Sequence, residues 1–167
     1  QMARVEAGRL RLNTKECPVQ TLICEACQKA ERMLDGRPVE ISVEQSVAPA
    51  WADSALVAMV LQHLLSNAAK YSAPGQPIEI RGSEKGGQIV ISVADHGPGI
   101  SGDEVTRIFE PYYRSPATAE LVSGMGMGLT ISQNIVVAHG GRLWAESRPG
   151  QGAAFTFTLP AATGRRP

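Results

Sequence analysis

The stretch "PIEIRGSEKGGQIVISVADHGPGI", Pro77 to Ile100, decides how the chain can fold. Two runs within it, "PIEIRGS" and "GQIVISVAD", alternate apolar and polar residues as half-buried strands do. A turn at Gly86-Gly87 joins them, so they read as a hairpin. In the second run Ile89, Ile91 and Val93 point to one side, and Asp95 continues that side. A carboxylate at the end of an apolar face is costly unless something partners it.

Working outward, Asp53 is placed to cap a helix that runs to about Ser72 and stops at Pro74-Gly75. Before it, Pro18 opens a helical stretch to about Leu34, ended by Gly36 and Pro38, and "VEISV" alternates as a strand. Residues 1–8 read as the last turns of a helix stopped by Gly8, and "RLRLN" as a short extended piece. After the hairpin, a short helix near 102–108 leads into residues 110–124, which lack hydrophobic periodicity and read as a mobile loop. A helix from about 126 to 138 carries Ile131, Ile135 and Ala138 at i, i+4 and i+7, and "GRLWAES" and "GAAFTFTLP" make a closing pair of strands. "AATGRRP" reads as a frayed tail. Strands paired as hairpins, with helices that bury one face, predict a two-layer α/β (α+β) sandwich rather than alternating βαβ units.

With 167 residues, 43% of them hydrophobic, the chain can bury a proper core as one domain plus an appendage. Sixteen basic and sixteen acidic residues cancel, so no global field recruits nucleic acid or a membrane, and any anion site must be local. The longest apolar run, "ALVAMVLQHLL", is interrupted by Gln62 and His63 and is too short to span a bilayer. The first residue is Gln1 rather than Met, which suggests a piece of something longer. Cys24-x-x-Cys27 invites a metal reading, but no second CxxC or His pair accompanies it; with Cys17 the two read as reduced thiols of a cytoplasmic protein.

Three segments carry chemistry. On the helix 53–72, Leu56, Val60, Leu64 and Ala68 form an apolar stripe, while His63, Asn67, Lys70 and Tyr71 fall within an arc of ~100°. An amide oxygen, an ammonium and a phenol ring in one column can ligate a hard cation, meet a phosphate and cover a flat ring; a solvated polar face would look the same. In "DHGPGI", Asp95 can accept from the exocyclic amine of an adenine while Gly97 and Gly99 keep the backbone clear of the ring; a tight Asp-x-Gly turn is the plainer account. In "GMGMGL", Gly124, Gly126 and Gly128 lead into a helix amino terminus, where peptide N–H groups can wrap a polyphosphate or the glycines can hinge a loop. No single motif settles the matter.

Taken in order, "HLLSNAAKYS", "DHGPGI", "FEPYYR" and "GMGMGL" resemble the N, G1, F and G2 boxes of sensor histidine kinases, and "HGGRLWAESRPGQGAAFTFTLP" is similar to that family's ending. The likeness covers roughly residues 1–160 and implies the Bergerat ATP-binding fold, a mixed, mainly antiparallel sheet on three main helices, with a flexible lid. It implies that residues 1–12 are the tail of a dimerisation and phosphotransfer helix, 13–162 the catalytic domain and 163–167 a disordered tail. It further implies ATP and Mg²⁺ as cofactors: Asn67 on the metal, Lys70 on the phosphates, Tyr71 beside the adenine and Asp95 on its amine. Gly97, Gly99 and Ile100 would shape the base pocket, and Gly124, Gly126, Gly128 and Leu129 the phosphate loop, with Arg114 towards the γ-phosphate. The expected partners are ATP, the protein's own dimerisation domain and a downstream response regulator, with no nucleic acid. The resemblance implies a cytoplasmic domain, monomeric alone, from a homodimeric protein with room for an inner-membrane anchor.

Departures are visible. His63 stands where the family usually has another Asn, Met125 and Met127 replace a small polar residue and a leucine, Tyr112 replaces Phe, and Ala153 replaces a hydroxyl-bearing residue near the adenine. The family transfers the ATP γ-phosphoryl to a histidine, but His63, His96 and His139 are the only histidines, two of them inside motifs and the third before a Gly-Gly turn. The acceptor is therefore expected outside this chain, with ATP binding but no efficient autophosphorylation. A degenerate nucleotide-binding module without catalysis is the alternative, favoured by His63 and Ala153. Chaperone, topoisomerase and mismatch-repair ATPases of the same fold use a Glu base in the N box, and "NAAKYS" offers none.

Overall fold

The computed structural model describes residues 10–111, 113, 128–147 and 150–162. The hairpin forms as its pattern predicts: Ile78–Lys85 and Gln88–Ala94 pair antiparallel, with Ile80 opposite Val93 and Gly82 opposite Ile91. Gly86 and Gly87 both take positive φ, +61° and +77°, which a two-residue turn between right-twisted strands requires. Ala153–Pro160 pairs antiparallel with the second hairpin strand, and Leu143–Ser147 lies outside it. Val39–Val43 is added at the other edge, parallel to Ile78–Lys85. Numbering the strands in chain order, β1 (Lys15–Cys17), β2 (Val39–Val43), β3 (Ala50–Ala52), β4 (Ile78–Lys85), β5 (Gln88–Ala94), β6 (Leu143–Ser147) and β7 (Ala153–Pro160), the main sheet runs β2-β4-β5-β7-β6. A parallel neighbour needs a crossover, and the long helix between β3 and β4 supplies it.

Four helices, α1 (Val19–Lys29), α2 (Glu31–Leu34), α3 (Ser54–Tyr71) and α4 (Gly128–Ala138), are found among the described residues. The single helix expected over 18–34 is broken at Ala30 (φ −92°, ψ 3°), and α2 ends at Asp35 in the left-handed region (φ 49°). The helix expected near 102–108 is a set of turns ending in one 3-10 turn, Arg107–Phe109. On α3 the side chains of Val57, Val60, Leu61, Leu64 and Leu65 are sealed from solvent, each burial contributing roughly 1.5–3 kcal/mol. They meet Ile78, Ile80, Ile89, Ile91, Phe157 and Leu159 from the sheet in one core.

A two-stranded sheet, β1 with β3, was not legible, and "RLRLN" is not part of it. It closes the end of the core where the last strand leaves. Ala161 bridges Ala50, its N–H donates to Gly87 O (3.0 Å), and Ala162 N–H donates to Pro49 O (2.7 Å). Ala161 and Ala162 are buried, so the tail expected to fray from 161 is fixed through 162.

The helical layer is pinned at both ends. Asp53 caps α3 by accepting from Leu56 N–H (3.2 Å) through Oδ1 and from Asn13 N–H (3.0 Å) through Oδ2. Its own N–H donates to Nε2 of buried His139 (3.0 Å), so Nδ1 carries the proton and donates to Ile135 O (2.8 Å). At the other end the Arg37 guanidinium donates to the carbonyl of Ala69 in the last turn of α3 (3.3 Å) and to those of Ala73 (2.8 Å) and Gln76 (2.9 Å) in the turn that follows, tying the helix end to its exit.

Candidate functional site

Asp95 sits just past the end of β5, and the alternation that buries Ile89, Ile91 and Val93 buries it too. Its Oδ1 accepts from Gly97 N–H (2.8 Å) and Ala153 N–H (3.3 Å). No described residue donates to Oδ2, and no buried side-chain oxygen is left unpartnered, so Oδ2 opens to solvent as a free acceptor. Burial pushes the carboxyl above its ordinary range, and those two hydrogen bonds, with His96 and Arg37, pull the other way.

The loop after Asp95 is held on two sides. Against α3, His96 N–H donates to Ser72 Oγ (3.2 Å), and a Cβ on Gly97 would stand 2.4 Å from Tyr71 O. Gly97 is thus required by contact with α3, a different reason from the clearance for a ring expected above. Against the β6–β7 turn, Ile100 N–H donates to Ser147 Oγ (2.6 Å), which donates to Gly152 O (2.7 Å), and Gly150 N–H donates to Pro98 O (2.6 Å). Gly99 (φ +78°) and Gly152 (φ +77°) take backbone conformations that other residues avoid. A Cβ on Gly152 would also stand 2.1 Å from Asp95 O.

The polar column of α3 ends at this loop. Asn67 and Tyr71 are half-buried and Lys70 is exposed. Among the described residues neither the Asn67 side chain nor the Lys70 ammonium has a hydrogen-bond or ion-pair partner. His63 departs from the column: Nδ1 lies 3.1 Å from Ser132 Oγ on α4. Burial, and to a lesser degree the Lys70 charge, hold its imidazole below the usual range, hence neutral near pH 7. Gly128 begins α4, and Leu129 and Ile100 pack on the edge of the core. Thr130 Oγ1 donates to Phe109 O (2.7 Å), and Phe109 meets Phe155 edge-on at 6.4 Å. Arg114, Gly124 and Gly126 lie outside the described residues, as do Tyr112, Met125, Met127 and most of the segment 110–124.

Asp95 also borders a groove of about 700 Å³ walled by Glu79, His96, Ser147, Gly152 and Ala153. Asn67, Lys70 and Tyr71 do not line it; its walls come from β4, the end of β5, β6, β7 and the residues around Gly102. Ala153 has no hydroxyl, but its N–H is one of the two donors that orient Asp95. Ser72, Ser132, Ser147 and Gly152 were not singled out from the sequence. Only Gly150-x-Gly152, a glycine pair between two strands, carried a signal.

The open carboxylate of Asp95 precedes a loop that packs on the carboxyl end of α3, the same helix carries an unpartnered amide and an unpartnered ammonium, and α4 begins next to His63 of that helix. Such a set can read a hydrogen-bond donor on a flat base and hold an anionic chain. Comparison with known proteins agrees in kind. Residues 52–163 match the family model described as histidine kinase-, DNA gyrase B-, and HSP90-like ATPase. The adaptive-response sensory kinase SasA of Parasynechococcus marenigrum (strain WH8102) is 37% identical over 168 residues, spanning 96% of this chain and 44% of that protein. The sensor protein KdpD of Clostridium acetobutylicum is 31% identical over 160 residues, 95% of this chain and 18% of that protein. The chain thus spans less than half the length of these curated relatives. Among solved structures, the mycobacterial sensor histidine kinase MprB superposes with a TM-score of 0.76 at 26% identity, covering 89% of this chain and 97% of that one. Full-length ShkA in complex with AMPPNP gives 0.84 at 27% identity, covering 98% and 34%. The chain belongs to the histidine kinase-, DNA gyrase B-, and HSP90-like ATPase family and, within it, is a catalytic domain of the sensor histidine kinase type.

Proposed function

We propose that the chain binds ATP with Mg²⁺ and presents the γ-phosphoryl to a histidine on a dimerisation domain outside it. The observation that carries this reading is Asp95, whose Oδ1 is fixed by two peptide N–H groups while Oδ2 stays open, at the foot of the α3 column. Oδ2 would accept from the exocyclic amine of adenine, with Tyr71, Gly97, Gly99 and Ile100 around the ring. Lys70 would meet the phosphates, and the amino terminus of α4, with Gly128 and Leu129, would face them with peptide N–H groups. Asn67 fits as a protein ligand to Mg²⁺, because that ion takes one or two protein oxygens and fills its shell with phosphates and water. When bound, the metal supplies charge neutralisation on the phosphates. Arg114, Gly124 and Gly126 are assigned to the γ-phosphate and the phosphate loop on the motif resemblance alone.

The chain's part in the reaction is positioning and charge complementarity, which is most of what phosphoryl transfer needs from a protein. The accepting imidazole is assigned to another domain because His63 is engaged by Ser132 and His139 by Asp53 and Ile135. His96 is exposed and lies 3.7 Å from Glu79. We assign residues 13–162 to the catalytic unit and 1–12 to the tail of the phosphotransfer helix. Leu10 packs on the core and Asn13 bonds Asp53, so that boundary is a docked one. No helix among the described residues is long and apolar enough to cross a membrane. The whole protein is read as a homodimer whose catalytic part is cytoplasmic, signalling to a response regulator, with any inner-membrane anchor lying elsewhere.

The test is transfer of labelled phosphate from γ-³²P ATP. The chain mixed with a histidine-bearing dimerisation domain should produce acid-labile phosphate on that domain, and the chain alone should produce none. Accumulation on the chain alone overturns the assignment of the acceptor. ATP binding without any transfer would favour the module lacking catalysis.

A further inference from the structure

His63 lies on the same side of α3 as Asn67, one turn nearer the amino end, yet its ring addresses α4. Nδ1 is 3.1 Å from Ser132 Oγ, and a Cβ built on Gly128 would stand 3.6 Å from the ring's Cγ. One imidazole thus bonds the hydroxyl at residue 132 and lies beside residue 128, one turn earlier on α4, where a side chain would reach its ring. Ser132 is fully buried, so its hydroxyl needs a partner there, and His63 is a side-chain partner that reaches it from another helix. A polar pair placed between two helices fixes their register more sharply than an apolar contact, because only one sliding position satisfies both groups.

We propose that His63 is a positioning residue for the phosphate end of the site: its bond to Ser132, with the ring beside Gly128, sets the amino terminus of α4 at a fixed place relative to Asn67. The proposal rests on the reading of the site as one for a nucleoside triphosphate. It gives His63 a role that needs no contact between the imidazole and the phosphates. An amide of Asn dimensions would serve as well, since its terminal atoms occupy the place of Nδ1. It also makes Ser132, four residues into α4 and away from the ligand, as consequential as the histidine.

Calorimetric titration of the chain with Mg-ATP and, separately, with adenosine tests this. His63→Ala and Ser132→Ala should each weaken Mg-ATP binding about tenfold, and the double variant should be no worse than either single one, as for two groups serving one contact. Adenosine affinity should stay within about twofold in all three, because the base end is held by other bonds. His63→Asn should bind Mg-ATP as the unmodified chain does. Wild-type Mg-ATP affinity in Ser132→Ala, multiplied losses in the double variant, or an equal loss of adenosine binding would each overturn the proposal. Should His63→Ala fail to fold by circular dichroism, Ser132→Ala and His63→Asn decide alone. If the unmodified chain binds neither ligand, the nucleotide reading fails first, and this proposal with it.

Discussion

Asp95 holds its charge against the fold. Its carboxyl titrates above the ordinary range because burial disfavours the anion, so the folded state binds the proton more tightly than the unfolded state does. Stability from this group is therefore complete below the unfolded pKa and is lost as pH rises through the folded one. Asp95→Asn keeps an oxygen for the Gly97 and Ala153 N–H groups while removing the charge, and should raise the melting temperature at pH 7 by about 2–4 °C per kcal/mol relieved. The gain should shrink as pH falls and vanish where both states carry the proton. The same variant should lose at least about tenfold in adenine nucleotide affinity, since the charged acceptor is gone. Calorimetric melts from pH 4 to 8, with and without ATP, check both; a variant less stable at pH 7 would contradict the sign. At Gly97 the expectation is steric: Gly97→Ala drives a methyl into Tyr71 O and should cost about 1–3 kcal/mol by urea unfolding, with weaker nucleotide binding.

Among the elements, α3 carries both the core stripe and the polar column, and its carboxyl end is where Lys70 and Tyr71 must be kept still. Arg37 does this from outside the site through three carbonyls. A lysine presents one ammonium and no planar fork, so Arg37→Lys should lower the urea midpoint by an amount equivalent to about 1–2 kcal/mol without changing the m-value. An unchanged midpoint would mean that the end of α3 holds itself. Long periodic elements such as α3, β4, β5 and β7 were legible because their side chains repeat with the period of the structure. The three-residue strands β1 and β3 were not: "AWA" has no periodicity, and its pairing with "KEC" lies 35 residues away. The site divides the same way. Asn67, Lys70, Tyr71 and Asp95, the residues proposed for the site, stand out as a polar column and a carboxylate on an apolar face, and take roles only through the ordered motifs that resemble the family's. Ser72, Ser132 and Ser147 do not stand out, because a hydroxyl's role is set by a neighbour distant in sequence, 69 residues away for Ser132.

For the molecule as a whole, ligand and fold are linked by mass action. Mg-ATP at one hundred times its dissociation constant should stabilise the chain by about 2.7 kcal/mol, on the order of 5–10 °C in melting temperature. The rise should be smaller with EDTA and fall to about half or less in the Asp95→Asn chain at the same concentration. Truncation after Pro160 tests a separate property. It removes Ala161 and Ala162, which link β3 to the turn of the main hairpin, and should lower stability without altering nucleotide affinity in what still folds.

β5 lies at the middle of the five-stranded order, with paired neighbours on both flanks, and Asp95 follows its last residue. Amides in such a strand exchange with deuterium only when the whole domain opens, whereas loop amides exchange through small local fluctuations. The group assigned to recognise the base is thus anchored to one of the slowest-breathing parts of the polypeptide. Discrimination among purines should consequently persist at temperatures or denaturant concentrations where triphosphate affinity is already fading.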